Sequence, residues 1–150
     1  MTVRAGGIKV GERRQAVVVE DLRRTRIVQY AGASGDFNPL HTDEVYASRA
    51  AGYPGVFAHG MLTMGLAGRV VTDWVGVEAL TGFGARFKAQ VWPGDTLTAT
   101  ATVESVDSAG AAGGELVRFA LSARNQDGVE VLSGTASARL DAEPELFHFD

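Results

Sequence analysis

From Phe83 onward apolar and polar residues alternate with a period of two. Phe83, Ala85, Phe87, Ala89 and Val91 share one face and Gly84, Arg86, Lys88 and Gln90 the other, before a turn at Pro93-Gly94-Asp95. Leu97, Ala99, Ala101 and Val103 then alternate with threonines, and Val117, Phe119, Leu121 and Ala123 form the face of a further strand. Asp127-Gly128 is a hairpin signal ahead of a last strand in Val129 to Leu140. This half of the chain reads as an antiparallel meander. Ser108 to Gly114, rich in Ala and Gly, reads as its loosest connection, and Asp141 to Asp150 as a tail or short arm.

The first half has another rhythm. Ile8 to Gly11 fits a short edge segment, and Ala16 to Val19 is a β-branched run. Arg24 to Ala33 carries Ile27, Tyr30 and Ala31 at helical spacing, with no good N-cap before it. Thr42 followed by Asp43 and Glu44 reads as an N-cap with acids in the first turn, opening a helix to about Ala50. Ala51 to Gly55 is a loop by its turn residues. The segment from Met61 to Val75 is apolar except for Arg69 and Asp73, which predicts a buried helix. Gly65 and Gly68 each cost about 1 kcal/mol of helix propensity relative to Ala, so close approach of another element is expected there. One buried helix and a run of antiparallel strands predict an α+β domain over residues 1–150, with a curved sheet wrapped around the helix. Such a sheet leaves an edge for a second copy, so a dimer is expected.

Length and composition narrow the function. A chain of 150 residues can bury a core without staples, and the absence of cysteine removes thiol catalysis, disulfides and thiolate metal sites. Its 14 basic residues are scattered among 18 acidic ones, which argues against nucleic acid as a partner. Met61 to Val75 is shorter than the roughly 20 residues of a membrane span, so no membrane partner is expected. The opening residues contain no apolar run, which predicts a cytoplasmic protein.

The chemistry concentrates between Tyr30 and Gly60. Pro39 biases Asn38 to extended backbone, so the loop Ser34–His41 can aim Asp36 and His41 at one point. An ionised carboxylate only accepts hydrogen bonds, whereas a neutral imidazole has one donor and one acceptor. Together they can hold a water and move protons both ways. The competing reading is that Asp36 caps a helix and His41 fills a hydrogen-bonding slot. Gly60 stands at the start of the apolar helix, where free N–H groups and the helix dipole favour a developing negative charge; equally, it lets the helix begin sharply. The imidazole of His59 reads as a satisfied residue beneath the site. A metal centre is not expected, because Asp36, His41 and Asp43 lack a second imidazole and the helix at Thr42 turns Asp43 away.

The string YAGASGDFNPLHTDE, followed by AHGMLTMGLAGRVVTDWVG, resembles the signature of the (R)-specific enoyl-CoA hydratase, or MaoC-like dehydratase, family. Within that family it is similar to the catalytic subunits of actinobacterial (3R)-hydroxyacyl-carrier-protein dehydratases. The likeness is strong from Tyr30 to Gly76 and looser through the strands to Leu140. It implies a hotdog fold with the Met61 segment as central helix, a catalytic pair at Asp36 and His41, and an oxyanion donor at the Gly60 backbone. Asn38 falls where the family braces the dyad loop, and Asn38, Pro39, His59 and Met61 are the expected substrate-binding positions. One departure is Gly68, eight residues after Gly60, where several CoA-specific relatives carry serine.

The resemblance implies reversible syn addition of water to a trans-2-enoyl thioester, carried by CoA or an acyl carrier protein, without cofactor. Two other functions suit the same fold. One is thioester hydrolysis; the other is a non-catalytic acyl-binding subunit of a heterodimer, which would not need an acid–base pair. A homodimer or a heterodimer with a related hotdog subunit fits the expected sheet edge.

Overall fold

The computed structural model describes residues 3–110 and 113–142. The elements run β1 (Arg13–Val19), α1 (Arg24–Ser34), a 3-10 turn (Pro39–His41), a π-helical turn (Tyr46–Ala50), α2 (Gly60–Val75), β2 (Leu80–Phe87), β3 (Leu97–Ser108), β4 (Glu115–Arg124) and β5 (Glu130–Leu140). The five strands make one antiparallel sheet in the order β1-β3-β4-β5-β2, and α2 lies against it. This is the hotdog fold.

The alternation predicted for β3 and β4 is the inner face of the sheet. Leu97, Ala99, Ala101, Val103, Val117, Phe119, Leu121 and Ala123 are all buried. They meet Leu62, Leu66, Ala67, Val70, Val71, Trp74 and Val75 of α2 in one core. Alanines on the sheet leave space for larger helix side chains: Trp74 reaches Phe119, with ring centroids 5.4 Å apart.

Three features differ from the sequence reading. First, only β3–β4–β5 is a meander. β2 begins at Leu80, stops at Phe87 and pairs with β5, at the opposite edge from β1. Residues 88–96 then return across the molecule, and Val91 accepts a hydrogen bond from the Ala58 N–H at 2.8 Å. Second, α2 is not buried all round. Met61, Gly65, Arg69 and Asp73 recur every four residues as an exposed stripe, so nothing approaches Gly65, whereas the Phe83 ring lies 2.8 Å from where a Gly68 Cβ would stand. Third, the turn after the 3-10 segment is capped one residue later than expected, Asp43 Oδ1 accepting the Tyr46 N–H at 3.0 Å, and it is π-helical.

Smaller shifts follow the same logic. Ile8 to Gly11 is not a strand, although Gly11 and Glu12 exchange backbone bonds with Val103 just before β1 starts. α1 starts at Arg24 and its N-cap, Arg23, makes no side-chain capping bond, as the sequence indicates. The hairpin at Asp127-Gly128 closes through a bond from the Asn125 N–H to the Val129 carbonyl and the left-handed Gly128. Of the expected loop Ser108–Gly114, residues 111–112 lie outside the described residues, as do residues 143–150 of the expected C-terminal arm.

Candidate active site

The loop that carries Asp36 is built from side chains that replace helix and sheet bonds. α1 ends at Gly35, whose φ of 74° is the left-handed conformation that glycine adopts without a Cβ penalty. Ser34 Oγ donates to the Tyr30 carbonyl at 2.8 Å and accepts the Asp36 N–H at 3.2 Å. Asp36 Oδ1 then accepts the Asn38 N–H at 3.2 Å, and Asn38 Oδ1 accepts the Leu40 N–H at 3.0 Å. Two consecutive turns of this kind, in which a short polar side chain holds the backbone two residues on, leave little freedom between Asp36 and Leu40. Asn38 is extended (ψ 125°), as a residue before proline should be, and Pro39 opens the 3-10 turn that presents His41.

His41 is nearly buried and its Nδ1 lies 2.7 Å from the Phe57 carbonyl oxygen. A carbonyl only accepts, so Nδ1 carries the hydrogen and Nε2 of the neutral ring keeps its lone pair. His59 is fully buried, and its Nε2 lies 3.0 Å from the Asp36 carbonyl oxygen. The same reasoning puts the His59 hydrogen on Nε2. His59 Nδ1 has no hydrogen-bond partner among the described residues. The two imidazoles stack with centroids 3.9 Å apart and planes 29° from parallel, and Tyr30 closes the other side of His59 at 4.9 Å. Asp36 is exposed, and one ligating atom each from Asp36, His41 and His59 fall within 4.8 Å of one another.

That trio supplies the second imidazole that the sequence reading found lacking. It does not suit a metal ion. Lone pairs of imidazole lie in the ring plane, so two nearly parallel stacked rings cannot direct theirs at one ion, and His59 Nε2 is already engaged with a carbonyl. The arrangement suits proton transfer.

α2 begins at Gly60, the residue after His59. No acceptor for the Gly60 N–H is present among the described residues, so it is one of the free donors of a helix N-terminus. The half-exposed Phe87 ring packs against Gly60, Cε2 lying 2.9 Å from where a Cβ would be. A cavity of about 300 Å³ opens at this helix start, lined by Phe57, Gly60, Thr63, Phe87, Gln90 and Val91 among others; of the residues expected at the site it takes in Gly60 but not Asp36 or His41. An ion pair steadies the approach to this helix. Arg24, at the start of α1, meets the Glu44 carboxylate, which also accepts the Val56 N–H at 3.5 Å. The Arg24 guanidinium holds the Glu44 carboxyl below the usual carboxylate range.

The structure thus brings together Asp36, His41 and His59, with Gly60 next in the chain. Asn38 and Pro39 shape the loop. The Met61 side chain is 57% exposed and does not line the cavity, and His59 is buried. Sequence reading did not find the Phe57 carbonyl, Thr63 or Phe87. A backbone carbonyl leaves no residue signal, and Phe87 sits on a strand that reads only as alternation.

The chain matches the family model "MaoC like domain" over residues 7–118. Over 68 residues it is 43% identical to 3-hydroxyacyl-thioester dehydratase Y of Mycobacterium tuberculosis, a match covering 43% of this chain and 23% of that protein. The chain therefore aligns with about a quarter of that relative's length. Among solved structures, R-hydratase PhaJ1 from Pseudomonas aeruginosa superposes with a TM-score of 0.79 at 25% identity, covering 99% of this chain and 94% of the other. The ChsH1-ChsH2 complex from Mycobacterium tuberculosis matches with a TM-score of 0.68 at 26% identity over 93% of this chain and 99% of that one. With three-quarters of its length inside the family model and the same fold around the loop and helix start described above, the chain belongs to the MaoC-like domain family.

Proposed function

We propose that this single-domain chain is a cofactor-independent hydro-lyase that interconverts trans-2-enoyl and (3R)-hydroxyacyl thioesters. The observation that carries the reading is the meeting of the Asp36 carboxylate with a His41 whose Nε2 lone pair is left free by the Phe57 carbonyl, beside an unpartnered N–H at Gly60. The names of the relatives, a dehydratase and an R-hydratase, support it.

In the hydration direction Asp36 and His41 hold a water. As the water oxygen bonds C3, the dyad takes one of its protons and the C2–C3 π electrons move toward C2 and the thioester oxygen. The Gly60 N–H stabilises that enolate-like oxygen; loss of such a donor typically costs about 2.7–4 kcal/mol. The dyad then returns one proton to C2, so it ends as it began and no electrons leave the substrate. Water and proton come from the same dyad, hence from the same face, which makes the addition syn. We assign proton transfer to His41, whose free Nε2 takes the proton from the water and delivers it to C2, while Asp36 holds the water or hydroxyl as a hydrogen-bond acceptor. General acid–base catalysis of this kind contributes roughly 10²–10⁴-fold. No step requires a metal or a redox group.

The substrate is an acyl chain on a CoA or carrier-protein thioester, and the site of action is the cytoplasm. β1 and β2 are the free edges of the sheet, which supports assembly with a second hotdog subunit, identical or related; the ChsH1-ChsH2 match is itself a complex. The test is loss of enoyl absorbance when the purified protein meets trans-2-enoyl-CoA. Hydration in the wild type, abolished in Asp36→Asn, supports the proposal. Release of free thiol without hydration would instead identify a thioesterase. No turnover, alone or with a related subunit added, would leave an acyl-binding role.

A further inference from the structure

His59 is not explained by packing. It is 1% exposed and holds a buried ring nitrogen, Nδ1, that has no hydrogen-bond partner among the described residues. A buried polar atom without a partner is destabilising, and a side chain selected only to fill this space would be apolar. Its side-chain hydrogen bond and its ring stack go to the two residues of the dyad. Nε2–H donates to the Asp36 carbonyl at 3.0 Å, and the ring face lies on the His41 ring at 3.9 Å.

We propose that His59 is a positioning residue for the dyad. This rests on the hydratase reading of Asp36 and His41 and extends it to a residue that touches no substrate. The Asp36 N–H is already held by Ser34 Oγ and its side chain by the Asn38 N–H; the bond from His59 fixes the remaining backbone group, the carbonyl. His41 is held in its plane by the Phe57 carbonyl at Nδ1, and the flat face of His59 prevents the ring from tipping out of that plane. Tyr30 backs His59 from α1. His59 is also the residue from which α2 departs, with Gly60 next, so one side chain ties the acid–base pair to the helix end that carries the oxyanion donor. Misplacement by about 1 Å can cost on the order of 10²-fold in rate, so a residue that sets the spacing between the two halves of a site has a measurable effect without contacting the reactants.

Three substitutions separate the contacts. His59→Gln keeps a side-chain N–H for the Asp36 carbonyl and loses the stack. His59→Phe keeps a flat ring and loses both the donor and the unpartnered nitrogen. His59→Leu loses both contacts. For a positioning role, kcat for a trans-2-enoyl-CoA falls by roughly tenfold or more in His59→Leu, with smaller losses in His59→Gln and His59→Phe. KM stays within about threefold of wild type in all three. The melting temperature of His59→Phe stays level or rises while its kcat falls, a combination that a purely structural residue does not produce. Unchanged kcat in the three variants, or losses that simply follow the melting temperature, would overturn the proposal.

A second measurement does not depend on the variants folding. Nitrogen-15 spectra of the imidazoles in the wild-type protein at a pH where both rings are neutral should show the hydrogen on Nε2 of His59 and on Nδ1 of His41. The opposite tautomer at His59 would remove the bond to Asp36 and with it the proposal. If the wild type does not hydrate enoyl thioesters, or Asp36→Asn hydrates them at the wild-type rate, the hydratase reading fails, and the tautomer spectrum still reports whether the His59 contact exists.

Discussion

The Phe57 carbonyl oxygen accepts the Nδ1–H of His41 at 2.7 Å, and this bond decides which nitrogen of the histidine does chemistry. With the hydrogen fixed on Nδ1, the lone pair of the neutral ring is left on Nε2. Phe57 belongs to the segment that leads into α2, so the tautomer of a loop residue is set by the approach to the helix. His41→Ala removes the proton carrier, and Asp36→Asn removes the charge while keeping an oxygen for the turn that holds the Asn38 N–H. Both variants are expected to fold, with melting temperatures near wild type, and to lose about 10²–10⁴-fold in hydration rate. Hydration at the wild-type rate in either one would exclude that residue from the dyad.

The glycines of α2 should respond in three different ways to alanine. At Gly65 a Cβ meets nothing, so Gly65→Ala is expected to stabilise by about 0.5–1 kcal/mol through helix propensity. At Gly68 the added carbon falls 2.8 Å from the partly buried Phe83 ring, and overpacking of this type costs roughly 1–3 kcal/mol. Denaturant unfolding of the two variants should move in opposite directions.

Gly60→Ala tests catalysis more than stability. Its Cβ would lie 2.9 Å from Phe87 Cε2, but that ring is half exposed and has room to move. The expected outcome is a small change in melting temperature and a lower kcat, because the methyl group and the displaced ring crowd the free N–H at the helix start. A KM effect alone would argue against oxyanion stabilisation at Gly60.

Glu44 gives a pH-dependent contribution to stability. Its carboxyl is held below the ordinary range chiefly by Arg24, so the contribution is complete above the pKa of an unfolded glutamate and disappears as pH falls through the lower folded value. Both partners are about half exposed, so the effect is modest and weakened by salt. Melting temperatures of wild type and Glu44→Gln measured from pH 7 downward should converge at acid pH. A difference that persists there would assign the effect to the Val56 N–H contact or to packing instead.

Asn38→Ala should separate loop order from dyad chemistry. It removes the acceptor for the Leu40 N–H while leaving the Asn38 N–H to bond Asp36. Loss of a capping oxygen costs about 0.5–2 kcal/mol, and faster amide exchange across residues 38–41 is the expected readout. Unchanged protection there would show that Pro39 alone sets the turn.

Local sequence determined much of this protein. The two-residue alternation in β3 and β4, the hairpin at Asp127-Gly128, the helix after Gly60 and the Asp36–His41 loop all follow from contacts a few residues apart, where side-chain spacing and turn chemistry act directly. What the tertiary structure decided depends on groups far apart in the chain. Helical spacing groups Met61, Gly65, Arg69 and Asp73, but only the placement of the sheet exposes that stripe and puts Phe83 against Gly68. Strand alternation marks β2, yet only its pairing with β5 places it at the far edge and turns Phe87 toward Gly60. His59, which reads as a satisfied residue beneath the site, gains its partners from the meeting of that helix with a loop 23 residues earlier. A stacked ring and a bond to a carbonyl are set by where the backbone passes, and no residue type in the sequence encodes that path locally.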